Sequence, residues 1–131
     1  MVSLNDNKKK RILIVEDDLQ NQKYLEVILN KEFEVAVCDS ELTFYEQLKH
    51  NQFDIFLIDI SIRGSKDGLV LIREIKNSPK YKNIPVVCLT GHAYRKDKEN
   101  ALKAGADAFL IKPIYFDDLR DALFEAGNWA K

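Results

Sequence analysis

Acids, a hydroxyl and a lysine recur at one kind of position in this sequence, directly after a short apolar run. Glu16-Asp17-Asp18 follow RILIV, Asp59 follows FDIFLI, Thr90 follows IPVVCL, and Lys112 follows AFLI. Gathered carboxylates repel one another and raise each other's proton affinity, and a hard divalent cation relieves that repulsion. Mg²⁺ suits one or two carboxylates together with waters and a phosphate oxygen. An aspartate beside such an ion can act as a nucleophile and become an aspartyl phosphate. A lysine would add a point charge on the transferring group's oxygens, and a loose transition state asks for little beyond positioning and electrostatics. A threonine hydroxyl could then bond to the new phosphoryl oxygen. Taken singly, each residue has a plainer reading: Asp17 or Asp18 as a helix cap, Asp59 as a loop acid, Thr90 as a turn residue, Lys112 as surface. The chemistry follows only if one edge of one fold collects them all.

The elements between them predict that it does. Arg11–Val15, Phe33–Cys38, Phe53–Ile58, Ile84–Leu89 and Ala108–Ile111 read as strands. They are apolar throughout rather than alternating, which implies burial on both faces of a parallel sheet. Helical spacing recurs between them, at Leu25, Ile28 and Leu29, then at Leu42, Tyr45 and Leu48 behind a Ser40 cap. It continues at Leu69, Ile72 and Ile75 before Pro79, in a weaker helix around Ala101 and Leu102 ended by Gly105, and at Leu119, Ala122, Leu123 and Ala126 closed by Gly127. Five strand–helix units with right-handed crossovers give an α/β fold, a doubly wound five-stranded parallel sheet in the order 2-1-3-4-5. A barrel would need about eight such units. In open parallel sheets ligands bind beyond the carboxyl ends of the strands, at the topological switch point. Here that point lies between strands one and three, which carry the acids. Asp39-Ser40 end the second strand, away from the switch, and read as helix-entry residues.

Composition narrows the alternatives. The chain has 131 residues, net charge −1 and 46% hydrophobic residues, enough for one core and no general pull toward nucleic acid or anionic membrane. Residues 1–10 read as a flexible tail, 11–127 as the domain and 128–131 as a short C-terminal tail. Lys8-Lys9-Lys10-Arg11 reads as a solvated flank of the first strand. No apolar run approaches the ~20 residues of a bilayer span, and no signal-peptide pattern opens the chain, so the protein reads as soluble and cytoplasmic. Cys38 and Cys88 lie inside apolar runs and read as small buried hydrophobes. No P-loop, no GxGxxG and no nucleophile elbow occurs. His50 reads as a helix-end residue and His92 as an exposed loop residue.

The motifs ILIVEDD, DIS, LTG and KP, in this order and spacing, resemble the response-regulator receiver domain of two-component signalling, of the single-domain, chemotaxis-regulator-like kind. The resemblance covers residues 10–127 and implies the flavodoxin-like (βα)5 fold. It implies that Asp59 accepts a phosphoryl group from a histidine kinase or a histidine phosphotransfer protein. It implies a Mg²⁺ cofactor with Asp17 and Asp59 as direct ligands, Ser61 giving a backbone carbonyl, and Glu16 acting mainly through water. It further implies Thr90 as switch hydroxyl, Lys112 as phosphate-binding lysine, a cis bond before Pro113, and Phe109 as the rotameric aromatic. Two departures stand out. The loop after Asp59 reads ISIRGSK, with Ile62-Arg63 where the family often has Met-Pro; Gly64 adds freedom and Arg63 is a candidate contact for a partner or a phosphate. Gly91 stands where a small Ala is common, which bears on water access to the site. The residues after Ala126 are GNWAK, too short for a helix-turn-helix, so the expected output is a downstream protein target or onward phosphotransfer, without direct DNA binding or membrane insertion. Trp129 is expected to pack on the last helix. No enzymatic turnover is expected beyond self-catalysed phosphorylation and dephosphorylation. The competing readings are an interaction module that keeps the fold without being phosphorylated, and a phosphate-ester hydrolase, which the missing second acid two residues after Asp59 disfavours.

Overall fold

Each apolar run becomes a strand because its side chains are taken up on both sides. The computed structural model describes residues 9–61, 67–91 and 95–130. In chain order the elements are β1 (Lys10–Val15), α1 (Leu19–Leu29), β2 (Phe33–Cys38), α2 (Glu41–His50), β3 (Ile55–Asp59), α3 (Gly68–Asn77), β4 (Val86–Thr90), α4 (Arg95–Ala104), β5 (Ala108–Ile111) and α5 (Phe116–Gly127). The strands form one five-stranded parallel sheet in the order β2-β1-β3-β4-β5, as the sequence predicts. Successive residues point to opposite faces. Leu13, Val15, Phe56, Ile58, Val86 and Cys88 pack with α2, α3 and α4, while Ile12, Ile14, Ile55, Leu57, Val87 and Leu89 pack with α1 and α5. Both cysteines are buried free thiols. None of the described helices is long and apolar enough to cross a membrane.

The boundaries differ from expectation where backbone hydrogen bonding decides them. Pro85 has no amide hydrogen to give the ladder, and it takes part only through its carbonyl, which accepts from Phe56 N at 3.0 Å. The β4 ladder therefore starts at Val86 and runs on through Thr90, and β3 runs on through Asp59. Both candidate site residues thus lie within the ladder. At the other end, β1 begins at Lys10, paired with Phe33, rather than at Arg11.

Two helices correct the periodicity reading. Ser40 caps α2 with a reciprocal Thr43 bond. The buried side chains of that helix are Glu41, Phe44 and Leu48, and Leu42 is 78% exposed. Gly127 does not close α5. It is still helical, and Asn128 at φ 58° takes the left-handed position. Gly127 is small because a Cβ there would strike the Trp129 ring. That ring packs on Phe124 of α5, as expected, and also on Phe33 of β2, with the Lys10 ammonium 5.3 Å from its centroid. Gly105, at φ 112°, does end α4.

Candidate functional site

The carboxyl edge of the sheet gathers the polar residues that the core excludes. Glu16 (1% exposed), Asp59 (3%) and Thr90 (0%) are among the few buried polar side chains of the described residues. Buried charge is costly unless paired, and the pairing comes from Lys112. Its ammonium donates to Asp59 Oδ2 at 2.6 Å and to Glu16 Oε1 at 2.8 Å, joining residues 53 and 96 positions apart. Backbone amides complete the two acids: Ser61 N–H donates to Asp59 Oδ1 at 2.8 Å, and Asp18 N–H to Glu16 Oε2 at 3.2 Å. The Lys112 amide donates to the Thr90 carbonyl at 2.7 Å, which fixes where the lysine leaves β5. The bond from Lys112 to Pro113 is cis.

Five of the predicted site residues are therefore joined here, Glu16, Asp59 and Lys112 through their side chains and Ser61 and Thr90 through their backbone. Asp17 is half-buried beside Glu16. Asp18 is the cap of α1, accepting from Asn21 N–H at 2.9 Å. Phe109 is half-buried against the core on the α3–α4 face. Gly91 is exposed, and a Cβ there would meet nothing within 4 Å. Gly68 opens α3 against the end of β3, where a Cβ would lie 2.7 Å from the Asp59 carbonyl oxygen and closer still to Ile60 Cα. Ile62, Arg63, Gly64 and the rest of that loop to Lys66, together with His92 and Lys8, lie outside the described residues.

The electrostatics follow from burial. Desolvation pushes the Glu16 carboxyl above its ordinary range and the neighbouring Asp59 charge adds to this, while Lys112 and the Asp18 amide oppose it. Burial alone would pull Lys112 down, but its bonds to Asp59 and Glu16 outweigh that and hold it above its ordinary value, so it stays an ammonium. Two carboxylates facing one ammonium, with Asp17 alongside, leave the edge rich in hard oxygen donors. Among the described residues no three His, Cys, Asp or Glu side chains gather to hold a metal by themselves. The donor set suits a cation that keeps several waters and takes phosphate oxygens, which is the coordination habit of Mg²⁺.

Residues of α1 that carry no motif also belong to this edge. Gln22 donates its side-chain amide to the Glu16 carbonyl, and the Tyr24 hydroxyl donates to the Ile114 carbonyl at 2.8 Å. Sequence reasoning missed both, because a side chain bonding to a distant carbonyl leaves no pattern in composition or spacing. Nothing in the sequence around Gly68 signals its close approach to the end of β3.

The sequence pattern of the response regulator receiver domain matches residues 12–124, and the chain belongs to that family. Among curated relatives, the transcriptional regulatory protein ZraR of Escherichia coli K12 is 34% identical over 117 residues, covering 88% of this chain and 26% of ZraR. Hybrid signal transduction histidine kinase I of Dictyostelium discoideum is 32% identical over 113 residues, 80% of this chain and 6% of that kinase. This chain thus spans about a quarter or less of those two relatives. Among solved structures, the receiver domain of a sensor histidine kinase from Pseudomonas aeruginosa PAO1, with a magnesium ion coordinated in its active-site cleft, superposes at TM-score 0.82 with 27% identity, covering 92% of this chain and 99% of that one. A CheY-like response regulator receiver protein from Methanospirillum hungatei gives TM-score 0.82 at 26% identity, covering 92% and 95%.

Proposed function

We propose that this protein carries a phosphoryl group in a phosphorelay, taken on Asp59 from the phosphohistidine of a histidine kinase or a histidine phosphotransfer protein. The observation that carries the reading is the Lys112 ammonium bonded at once to Asp59 and Glu16, a cation already placed where a phosphoryl group would arrive. An Asp59 carboxylate oxygen forms the new bond to phosphorus. The phosphorus–nitrogen bond of the donor breaks, its electron pair stays on the imidazole nitrogen, and that nitrogen takes up a proton. The Ser61 amide orients the Asp59 carboxylate. Lys112 shifts its donation from the carboxylate to a phosphoryl oxygen, and Thr90 offers its hydroxyl to another. Asp17, Asp59 and the Ser61 carbonyl, with Glu16 through water, are the residues that would hold Mg²⁺, which when bound neutralises charge on the transferring oxygens. The reaction is stoichiometric group transfer with self-catalysed dephosphorylation rather than enzymatic turnover.

Output follows as a population shift. Thr90 moves toward the phosphoryl group, Phe109 turns into the space it leaves, and the α4–β5–α5 surface changes its affinity for a downstream protein. A full switch needs about 5 kcal/mol of difference between the two states. The switch works in the cytoplasm, with protein partners and neither direct DNA binding nor membrane insertion.

The test is intact mass after incubation with acetyl phosphate and Mg²⁺. Wild type should gain one phosphoryl group and Asp59→Asn should gain none. No gain in wild type while Mg²⁺ binds would leave the non-phosphorylated interaction module as the reading.

A further inference from the structure

Lys112 works from a backbone held on both sides. Upstream, its own amide donates to the Thr90 carbonyl at 2.7 Å. Downstream, two residues on, the Ile114 carbonyl accepts the Tyr24 hydroxyl at 2.8 Å across 90 positions of sequence. The helix that supplies this second hold also reaches the acidic side. Asp18 caps it, and Gln22 donates to the Glu16 carbonyl. One stretch of α1 therefore touches the chain on either side of the ammonium–carboxylate contact. Tyr24 and Ile114 also line a cleft of about 260 Å³, with Leu25 and Leu89 among its walls and Glu16 and Lys112 forming part of its lining.

We infer that Tyr24 is a positioning residue for Lys112, its hydroxyl setting the distance between the connection that carries the lysine and the acidic connection after β1. Tyr24 touches none of the reacting atoms. A lysine has a flexible four-carbon stem, so the placement of its Cα limits where the ammonium can reach. Misplacement of a catalytic group by about 1 Å can cost about a hundredfold in rate. Tyr24 is 47% exposed, so water can satisfy the Ile114 carbonyl when the hydroxyl is removed. Loss of the bond should then loosen position more than it lowers stability.

The rate consequence rests on Asp59 being the phosphoryl acceptor; the effect on Lys112 does not. Tyr24→Phe keeps the ring in the cleft and removes only the donor. The first readout needs no phosphorylation: the side-chain ammonium resonance of Lys112 in ¹⁵N-lysine-labelled protein, assigned by its loss in Lys112→Arg. It should broaden or shift in Tyr24→Phe and again in Tyr24→Leu, which also removes the ring. The second readout is Mg²⁺-dependent phosphorylation by acetyl phosphate. The limiting rate should fall about fivefold, the equivalent of one hydrogen bond, with the half-saturating Mg²⁺ concentration unchanged. An unaltered Lys112 resonance overturns the inference, as does a rate loss that runs in parallel with weakened Mg²⁺ binding. If wild type takes no phosphoryl group, the acceptor reading fails by itself and the Lys112 resonance alone decides the role of Tyr24.

Discussion

At the scale of single residues, Lys112 is the group whose removal should speak most clearly. Without it, Glu16 and Asp59 would be two buried carboxylates with no cation between them. Breaking such a pair from one side costs about 3–5 kcal/mol when fully buried. Lys112 keeps a quarter of its side-chain surface exposed, so about 2 kcal/mol is the expected loss for Lys112→Ala in chelator-treated protein, read by urea unfolding. Adding Glu16→Gln in that background should recover part of it, since desolvation and the Asp59 charge both press on the Glu16 carboxylate. Equal stability of Lys112→Ala and wild type would mean the three groups do not share charge as described. The site acids and the lysine were legible in the sequence because each stands at the same place, the end of an apolar run. Gln22 and Tyr24 were not, since nothing in a helix reports which carbonyl a side chain will meet from across the fold.

At the scale of elements, two glycines that look alike in sequence sit in opposite environments. Gly68 is pressed against the end of β3, where a methyl would drive into Ile60 and the Asp59 carbonyl. Gly91 faces open space, and its backbone is not left-handed. Gly68→Ala should cost about 1–3 kcal/mol by overpacking and should slow labelling of Asp59 by shifting its strand end. Gly91→Ala should raise stability by about 0.4–1 kcal/mol through the unfolded state, with the folded backbone unchanged. Thermal melts together with acetyl phosphate labelling separate the two, and a stabilised Gly68→Ala would contradict the packing. The same scale explains what periodicity mistook. The stripe of α2 runs through Glu41, Phe44 and Leu48, so its first position is a carboxylate buried under the helix. A charged residue on the core face hides the true register, and Leu42, exposed, completed a false one. The start of β4 moved from Ile84 to Val86 for a related reason, because the ladder obeys amide hydrogens and Pro85 has none to give.

At the scale of the whole molecule, the strand order was legible because continuous apolar runs, short connections and acids at the switch point all demand one topology. The two thiols test how completely that topology closes. Burial pushes Cys38 and Cys88 each up to about 12 from an ordinary value of 9. The folded state therefore holds protons that the unfolded state releases. The stability these thiols confer is fully present below pH 9 and is lost as pH rises from about 9 to about 12. Native protein at pH 8 should leave a thiol reagent unreacted, with both cysteines reacting at the rate of unfolding. Prompt reaction of either would show an opening that the packing does not contain.

The corner built by Lys10, Phe33, Phe124 and Trp129 has a bearing on architecture. It brings the first strand and Trp129, two residues past the last helix, side by side, at the amino edge of the sheet, opposite Asp59. Both ends of the described domain therefore lie on the far side from Asp59. A domain of this shape can be spliced ahead of, behind or between other modules without obstructing its own mouth. Relatives in which the matching segment makes up only a small share of a long protein have the arrangement that such a plug-in geometry permits.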